Sequence, residues 1–337
     1  MGQFWRLLNL DKSQMESLVK MGETFHEGPL SCIMLSYPPP IKLVPYFKPH
    51  PSSPSPVRNK GIHGLPNEIV DEIFGHQEDY VDCIRLALTG RRYWNLARPH
   101  IKRAMTANFA SLSWAGDRII CVGDGNEVDD LPPALKTGEF TGVDLYFTLQ
   151  EHFKDAYNFS RPIEGLGRKS LRLKIRGDLM NDFYEHLDKP FPHELSSAHI
   201  FMGCIPEDVD DDSLVLRNLS KHEFVRYSEL PFDLVPREQW YWSQVDVDLT
   251  WAALARICWS TDPGTSMAYD GDMHRGVWAG DRLDIVSVEE LQEEGKEGER
   301  EREGEVADWK DVSKAVAKEL TLILASQFDI ALPPSSD

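Results

Sequence analysis

The sequence predicts an α+β fold, in which a small unit of three helices is joined to a larger mixed α/β C-terminal domain of unassigned fold. Three observations predict it. Helical signals concentrate in residues 62–104, short apolar runs typical of β-strands recur before and after that stretch, and helix-spaced apolar residues return near the C-terminus. At 337 residues, the chain is long enough for both parts to have cores of their own.

The N-terminal segment, residues 1–35, contains a strand candidate at residues 4–8. Because this run is too apolar for an exposed tail, we expect it to join the sheet of the C-terminal domain. The intervening residues 36–61 are dense in Pro and Ser, which predicts an extended linker. The C-terminal domain is predicted to occupy residues 105–335.

The pentapeptide Trp-Ala-Gly-Asp-Arg occurs twice in the C-terminal domain, at residues 114–118 and 278–282. Each copy leads into an apolar-rich run, and its Gly and Asp supply turn chemistry before that run. We interpret both copies as the starts of strands in one sheet, with Trp114 and Trp278 packing in the core and the Asp and Arg of each copy pairing locally. A ligand site that both copies share is the alternative.

Other helix and strand signals follow in the C-terminal domain. Capping boxes, in which a Ser is followed three residues later by a Glu, predict helix starts at residues 220–223 and 287–290. Three- and four-residue apolar spacing predicts one buried face of a closing helix, formed by Trp309, Val312, Val316, Leu320 and Ile323. Further strand candidates are residues 145–148, 171–175, 200–202 and 257–259.

Charge and composition limit the partners that the chain can have. The formal net charge of −19 repels phosphate backbones, so we expect no nucleic-acid partner. Part of that charge lies in an acidic low-complexity run at residues 289–306, which predicts a disordered, solvated loop or a fraying helix. An acidic docking segment is the alternative interpretation of this run.

The chain shows no signal for a membrane or for secretion. No apolar run approaches the roughly 20 residues that span a bilayer, and the N-terminal apolar stretch is too short for a secretory signal. The five cysteines are odd in number and widely spaced, which is typical of reduced thiols. We therefore expect no membrane partner and a cytoplasmic or nuclear location, or both.

Motifs of catalysis and cofactor binding are incomplete in this sequence. Residues 165–170 lack the spacing of a phosphate-binding loop, and residues 124–130 begin like a calcium loop but place Val128 at the fifth ligand position. Neither zinc-ligand spacing nor a nucleophile elbow occurs. We expect a protein that is not an enzyme, with no cofactor, no metal and no catalytic residues. An enzyme or ligand-binding protein that uses a cleft in the C-terminal domain is the alternative.

The helical stretch carries the most informative pattern. Pro66 is placed at the first turn of a helix, where its missing N–H costs nothing, and Ile69, Ile73 and Phe74 are predicted to share one face of that helix. A second helix follows a break at residues 75–79, and a third opens with a basic pair and two aromatic residues. Three helices this short bury little surface by themselves, so they need a partner in the same chain or in another.

Leu65-Pro66-x-Glu68-Ile69-x-x-x-Ile73-Phe74, followed by Leu86-Ala87-Leu88-Thr89-x-Arg91-Arg92-x-Trp94, resembles an F-box. Two positions depart from that family, because Gln77 replaces the usual leucine and Gly90 replaces a cysteine or another small apolar residue. The wider chain is similar to a group of fungal F-box-like proteins in the segments MGQFWRLLNLDK, SWAGDRIICVGD, VLRNLSKHEFVR, RICWSTDPGTSM and HRGVWAGDRLDI.

The resemblance implies binding rather than chemistry. In that family the helical unit packs against a Skp-type adaptor, the adaptor connects it to a cullin and a ubiquitin-transfer module, and the remaining domain selects a protein substrate. Carried over position by position, the adaptor-binding residues are Leu65, Pro66, Ile69, Ile73, Leu86 and Trp94. Two alternatives are an F-box-like scaffold with no ubiquitin role and three helices that merely pack on the C-terminal domain of the same chain.

Overall fold

The computed structural model confirms the α+β class and describes most of the chain outside the Pro-rich stretch. It divides the chain into two compact units, one built on a mixed sheet and one containing the three predicted helices. The residues that it describes are 2–27, 35–37, 61–87, 89–127, 129–136, 154–155, 213–231, 234, 248–301 and 309–332.

Seven helices and nine strands lie in the described residues. The helices are α1 (Met21–Glu27), α2 (Asn67–Gly75), α3 (Tyr80–Ala87), α4 (Arg91–Leu112), α5 (Leu249–Ile257), α6 (Val288–Glu301) and α7 (Ser313–Gln327). The strands are β1 (Phe4–Asn9), β2 (Gln14–Lys20), β3 (Asp117–Gly123), β4 (Lys154–Asp155), β5 (Leu214–Asn218), β6 (Glu223–Arg226), β7 (Cys258–Trp259), β8 (Arg282–Ser287) and β9 (Lys310–Asp311).

The strands form one sheet in the order β4-β2-β1-β3-β8-β5-β6-β9, with β7 paired to β3. The six central strands, β2-β1-β3-β8-β5-β6, are antiparallel to one another. The short strands β4, β7 and β9 pair parallel with β2, β3 and β6. The prediction that the N-terminal segment joins the sheet is confirmed, because β1 lies between β2 and β3. We call this sheet, with the helices packed on it, the sheet domain.

The six central strands consist of two copies of one three-stranded arrangement. In the first copy β1 and β2 form a hairpin beside β3, and in the second β5 and β6 form a hairpin beside β8. Each hairpin turns through a similar hexapeptide, Asn-Leu-Asp-Lys-Ser-Gln at residues 9–14 and Asn-Leu-Ser-Lys-His-Glu at residues 218–223. The copies meet antiparallel at β3 and β8, where Arg118 lies opposite Arg282. The repeat is therefore larger than the recurring pentapeptide.

The predicted helix start at residues 220–223 is wrong. The side-chain oxygen of Asn218 accepts hydrogen bonds from the backbone N–H groups of Ser220 and Lys221, and His222 has a positive φ of 52°. These features reverse the chain into β6 instead of starting a helix. The corresponding position in the first turn, Ser13, has the same φ of 52°.

Both faces of the central strands are buried. In β3, Ile119 and Cys121 point into a large core that also contains α5 and α7, while Ile120 and Val122 point into a smaller cluster on the other face. This alternation follows from the two-residue period of a strand, and it explains why the run after the first pentapeptide is almost wholly apolar. The predicted apolar face of the closing helix is confirmed for Val316, Leu320 and Ile323, which lie in the large core together with Val312 at the N-cap of α7. Its extension to Trp309 is wrong, because Trp309 precedes the helix and packs on another cluster.

Most of the acidic run forms a helix and not the disordered loop that was also predicted for it. Helix α6 covers residues 288–301, and residues 302–306 lie outside the described part. The predicted capping box is confirmed: Ser287 Oγ accepts from the N–H of Glu290, and the Glu290 carboxylate accepts from the N–H of Ser287. The strand predicted at residues 257–259 is observed as β7, whereas the candidates at 145–148, 171–175 and 200–202 lie outside the described residues.

The helical unit, α2 to α4, has its own core. Helix α4 continues to Leu112, so it extends beyond the predicted boundary at residue 104. Helices α2 and α3 both pack on α4. The buried apolar side chains are Val70, Phe74, Tyr80, Cys83, Ile84, Ala87, Tyr93, Trp94, Ala97, Ile101, Ala104 and Met105. In the part of the chain that the structure describes, none of the helices is long and apolar enough to cross a membrane.

Candidate functional site

Helix α2 and the two residues that precede it present an apolar surface to solvent. Ile69 has 49% of its side chain exposed, Pro66 is exposed, and Leu65 and Ile73 are half-buried. Ile69 and Ile73 lie one helical turn apart and project together. We call Leu65, Pro66, Ile69 and Ile73 the α2 patch. All four residues therefore reach the solvent-accessible surface, and their role in adaptor binding stays a prediction.

The opposite side of α2 faces the core. Val70 and Phe74 are fully buried, so Phe74 does not share the face of Ile69 as the sequence analysis expected. The 100° rotation per residue accounts for the difference, since Phe74 follows Ile73 and points toward α4. The Phe74 ring stacks on the His100 ring of α4 with centroids 6.1 Å apart. These contacts leave the α2 patch as the outer face.

Polar contacts from α4 hold both ends of α2. At its start, the guanidinium of Arg92 donates to Asn67 Oδ1 at 2.7 Å and to the backbone carbonyl of Leu65. Near its end, His100 Nε2 lies 2.8 Å from Asp71 Oδ1, and Arg103 donates to the carbonyl of Gly75 at 3.1 Å. The α2 patch is thus carried by a helix that is fixed at both ends.

The two remaining predicted residues lie elsewhere. Leu86 is half-buried on α3, and Trp94 is only 2% exposed in the core of the helical unit. Trp94 is therefore a core residue of the helical unit and not part of its exposed surface. At one departure from the family pattern, the backbone carbonyl of Gln77 lies within reach of the Cys83 thiol. At the other, a Cβ atom at Gly90 would lie 3.3 Å from the Tyr93 ring, so a larger residue there requires a small shift of that ring.

In the sheet domain, the two turns make the same contacts in both copies. The side-chain oxygen of Asn9 accepts from the N–H groups of Asp11 and Lys12, and its amide donates to Asp117 Oδ2 at 2.7 Å. Lys12 Nζ lies 2.8 Å from the same Asp117 oxygen. In the second copy, the same contacts join Asn218, Ser220, Lys221 and Asp281.

The recurring pentapeptide therefore fastens each hairpin to its neighbouring strand. Trp114 and Trp278 are buried as predicted, and their indole N–H groups donate to Gln14 at 2.6 Å and to Glu223 at 2.8 Å. The expected local pairing of Asp and Arg is wrong, because each Asp binds the Asn and Lys of the turn instead. The turn positions were missed in the sequence, although the shared spacing Asn-Leu-x-Lys was a visible signal.

Arg118 and Arg282 meet at the boundary between the copies, and both reach Asp11. Arg118 Nε lies 2.8 Å from Asp11 Oδ1, and Arg282 Nη1 lies 2.7 Å from Asp11 Oδ2. Burial alone would raise the pKa of Asp11, but the hydrogen bonds and charge of Arg118, together with the charge of Arg282, outweigh it and hold that pKa below its ordinary value. Asp11 is therefore an anion at neutral pH.

A metal-ligand cluster and a reactive thiol are two features that could support catalysis. In the described part of the chain, no group of His, Cys, Asp and Glu residues could hold a metal ion. Cys121 and Cys258 lie opposite each other in β3 and β7, but both are fully buried. Burial, with the neighbouring Cys121 adding to it, raises the pKa of the Cys258 thiol, so it is not activated as a nucleophile.

No family model, no curated protein and no solved structure matches this chain.

Proposed function

We propose that the protein is the substrate-recognition subunit of a Skp-cullin-F-box type ubiquitin ligase. The helical unit binds a Skp-type adaptor through the α2 patch, the adaptor connects it to a cullin, and the sheet domain receives a protein substrate. The chain itself contributes no catalytic residue and no cofactor. The observation that carries this proposal is the exposed apolar face of α2, together with the F-box pattern of the residues that form it.

The physical support is the cost of exposing this face to water. Ile69 is among the few large apolar side chains that the described surface exposes, and it adjoins Pro66 and the half-buried Leu65 and Ile73. Complete burial of an isoleucine in a partner contributes about 1.5–3 kcal/mol. Because Val70 and Phe74 already fill the internal core, α2 can pair outward without unfolding.

The test is capture of adaptor and cullin by the full-length chain from a cell lysate. Replacing Ile69 and Ile73 by Asp puts two charges into the proposed apolar interface, which costs several kcal/mol unless they are paired, enough to abolish a micromolar complex. The matched control replaces the exposed Asn95 and Asn108 of α4 by Asp, which adds the same charge to the same unit.

The expected result is loss of adaptor and cullin with I69D/I73D, retention with N95D/N108D, and unchanged thermal melts for both. Equal recovery of the adaptor from wild type and I69D/I73D would contradict the proposal. Loss of the adaptor together with collapse of the helical unit would show that these side chains serve an internal core. Recovery of the adaptor without a cullin would assign a scaffold instead of a ligase subunit.

A further inference from the structure

The two copies of the sheet domain differ at one turn position beside the central arginines. The third residue of the first turn is Asp11, and the third residue of the second is Ser220. Both accept a hydrogen bond from the backbone N–H of the arginine in their own copy: Arg118 donates to Asp11 Oδ2 at 2.9 Å, and Arg282 donates to Ser220 Oγ at 3.0 Å. The position is equivalent in both copies, but only the first has a carboxylate.

In the first copy, one arginine binds that carboxylate through both its backbone N–H and its guanidinium. Besides the backbone N–H, the Arg118 guanidinium reaches Asp11 Oδ1 with Nε at 2.8 Å and with Nη2 at 2.7 Å. A backbone N–H and one edge of a guanidinium thus converge on a single carboxylate. This is the arrangement by which Arg recognises carboxylates in proteins.

In the second copy, the equivalent edge of Arg282, formed by Nε and Nη2, faces no carboxylate of the described residues. Arg282 uses Nη1 for Asp11 and for the carbonyl of Gly116, at 2.7 and 2.8 Å. Among the described residues, Nε and Nη2 of Arg282 have no partner, and 46% of the side chain is exposed. The Ser220 hydroxyl, which is shorter than an Asp side chain, accepts only from the backbone N–H.

The local charge is positive in spite of the acidic chain. Lys12 is paired with Asp117, and Lys221 is paired with Asp281, so these four charges cancel. Among the ion pairs seen between described residues, two guanidinium groups then share the single carboxylate of Asp11, so that the two arginines outnumber their carboxylate by one at the boundary between the copies. A chain with a net charge of −19 keeps this surplus arginine at an exposed, hydrogen-bonding edge.

We propose that Arg282 and Ser220 form a binding site for a carboxylate that is supplied from outside the chain, at the place that Asp11 fills in the first copy. The carboxylate belongs either to a small organic acid or to an acidic side chain of a bound polypeptide. The first copy supplies the internal reference for the bound geometry. This site is independent of the α2 patch and of adaptor binding.

The test is the side-chain ¹⁵N–¹H resonance of Arg282 Nε in the full-length protein, titrated with sodium acetate against sodium chloride of equal ionic strength. Acetate should shift the Arg282 signal saturably and leave that of Arg118, which is already bound to Asp11, in place. Ser220→Asp should reproduce the shift without acetate and weaken acetate binding about tenfold or more. It should also raise the melting temperature, because it supplies the missing carboxylate.

Asp11→Ser is the matched reverse variant. It should make the Arg118 Nε signal sensitive to acetate and lower the melting temperature. Acetate that leaves Arg282 unshifted in wild type, or that shifts it equally in S220D, would overturn the proposal. A blocked Gly-Glu-Gly peptide distinguishes the two sources of the carboxylate: tighter binding than acetate indicates an acidic polypeptide, and equal binding indicates a small acid.

Discussion

The two copies of the sheet domain use the same strand register to place opposite kinds of chemistry. In the first copy, Leu8 of β1 lies opposite Ile120 of β3, inside a small apolar cluster. In the second copy, the corresponding positions hold Arg217 of β5 and Asp284 of β8, which form a buried ion pair with Nη2 and Oδ2 2.7 Å apart. The hairpin turns and the Trp-Ala-Gly-Asp-Arg strands are the same in both copies. The shared backbone arrangement therefore accepts either an apolar pair or an ion pair at these positions.

The residues that pack over Leu8 and Ile120 differ in polarity from those that pack over Arg217 and Asp284, and this explains the difference between the two pairs. In the first copy, Leu131 and Leu135 complete an apolar cluster over Leu8 and Ile120. In the second copy, Glu294 of α6 binds Arg217, and the Trp309 ring lies 5.3 Å from that guanidinium. Burial would lower the pKa of Arg217, but Asp284 and Glu294 outweigh it and hold the pKa above its ordinary value. Helix α6 thus contributes, through Glu294, a second carboxylate to the buried Arg217.

The largest effect is expected from removing a strand of the first copy. Deleting residues 1–12 removes β1, whose Trp5, Leu7 and Leu8 are buried. Their burial alone contributes roughly 5–9 kcal/mol, which is comparable to the whole stability of a domain, roughly 5–15 kcal/mol. The sheet domain should lose its cooperative thermal transition in calorimetry. An unchanged melting curve would contradict the central place of β1.

The next largest effect is expected from changing the buried ion pair of the second copy into the apolar pair of the first. Asp284→Ala leaves the Arg217 guanidinium buried without its main partner, which should cost about 3–5 kcal/mol of unfolding free energy. The double variant R217L/D284I, which copies the first repeat, should restore stability to the wild-type level or above. Urea unfolding followed by tryptophan fluorescence measures both. The exposed pair of Arg226 and Asp311 is the control, and Arg226→Met, which leaves the contacts of Asp311 with Ser313 in place, should cost no more than about 1 kcal/mol.

A smaller and equal effect is expected at the two turns. Asn9→Ala and Asn218→Ala each remove two contacts to backbone N–H groups and one to a pentapeptide Asp, which should cost roughly 1–3 kcal/mol in either copy. Thermal melts of the two variants should therefore fall by similar amounts. A loss confined to one variant would show that the turns are alike in geometry but not in energetic role.

The smallest effect is a difference in pH dependence. Burial alone would raise the pKa of Glu223, but its hydrogen bonds from Trp278 and Lys310 and the nearby charges outweigh it, so the pKa lies below its ordinary value of 4.5. Such a carboxylate stabilises the fold above its unfolded pKa, and that stabilisation is lost as the pH falls through the folded pKa.

Gln14, which accepts from Trp114 in the first copy, has no proton to gain. Glu223→Gln should therefore flatten the fall of melting temperature below about pH 4.5, and Gln14→Glu should make that fall steeper. The two variants exchange the acceptors of the two copies. If the acid limb of the E223Q curve matches that of wild type, Glu223 does not contribute to acid sensitivity.

Sequence patterns predicted the strands better than the side-chain partners. Apolar runs placed β1, β3 and β8 correctly, because strands buried on both faces have a strong signature. Residues 220–223 match a capping box, yet the side chain of Asn218, two residues earlier, accepts from the backbone N–H groups of Ser220 and Lys221 and forms a turn instead. A tertiary partner, Asp281, orients that Asn, and no local pattern contains it.

The candidate surface was also only partly predictable. Proline placement and helical spacing predicted the start of the helix and the shared face of Ile69 and Ile73, because these depend on position within one helix. Their assignment to an adaptor-binding surface came from the F-box resemblance. Trp94 could not be assigned from its own segment, since its burial depends on how α3 and α4 pack together. The difference between Asp11 and Ser220 beside the two arginines depends on the register of β3 and β8, and no local sequence pattern contains that register.

The measurement that tests the functional account most directly is hydrogen–deuterium exchange of the full-length chain with and without a purified Skp-type adaptor. The account predicts slower exchange of the amides of α2, around Ile69 and Ile73, and unchanged exchange in β5 and β6 of the second copy. The I69D/I73D variant should show no protection. Exchange in α2 that is the same with and without a saturating amount of adaptor would contradict the account.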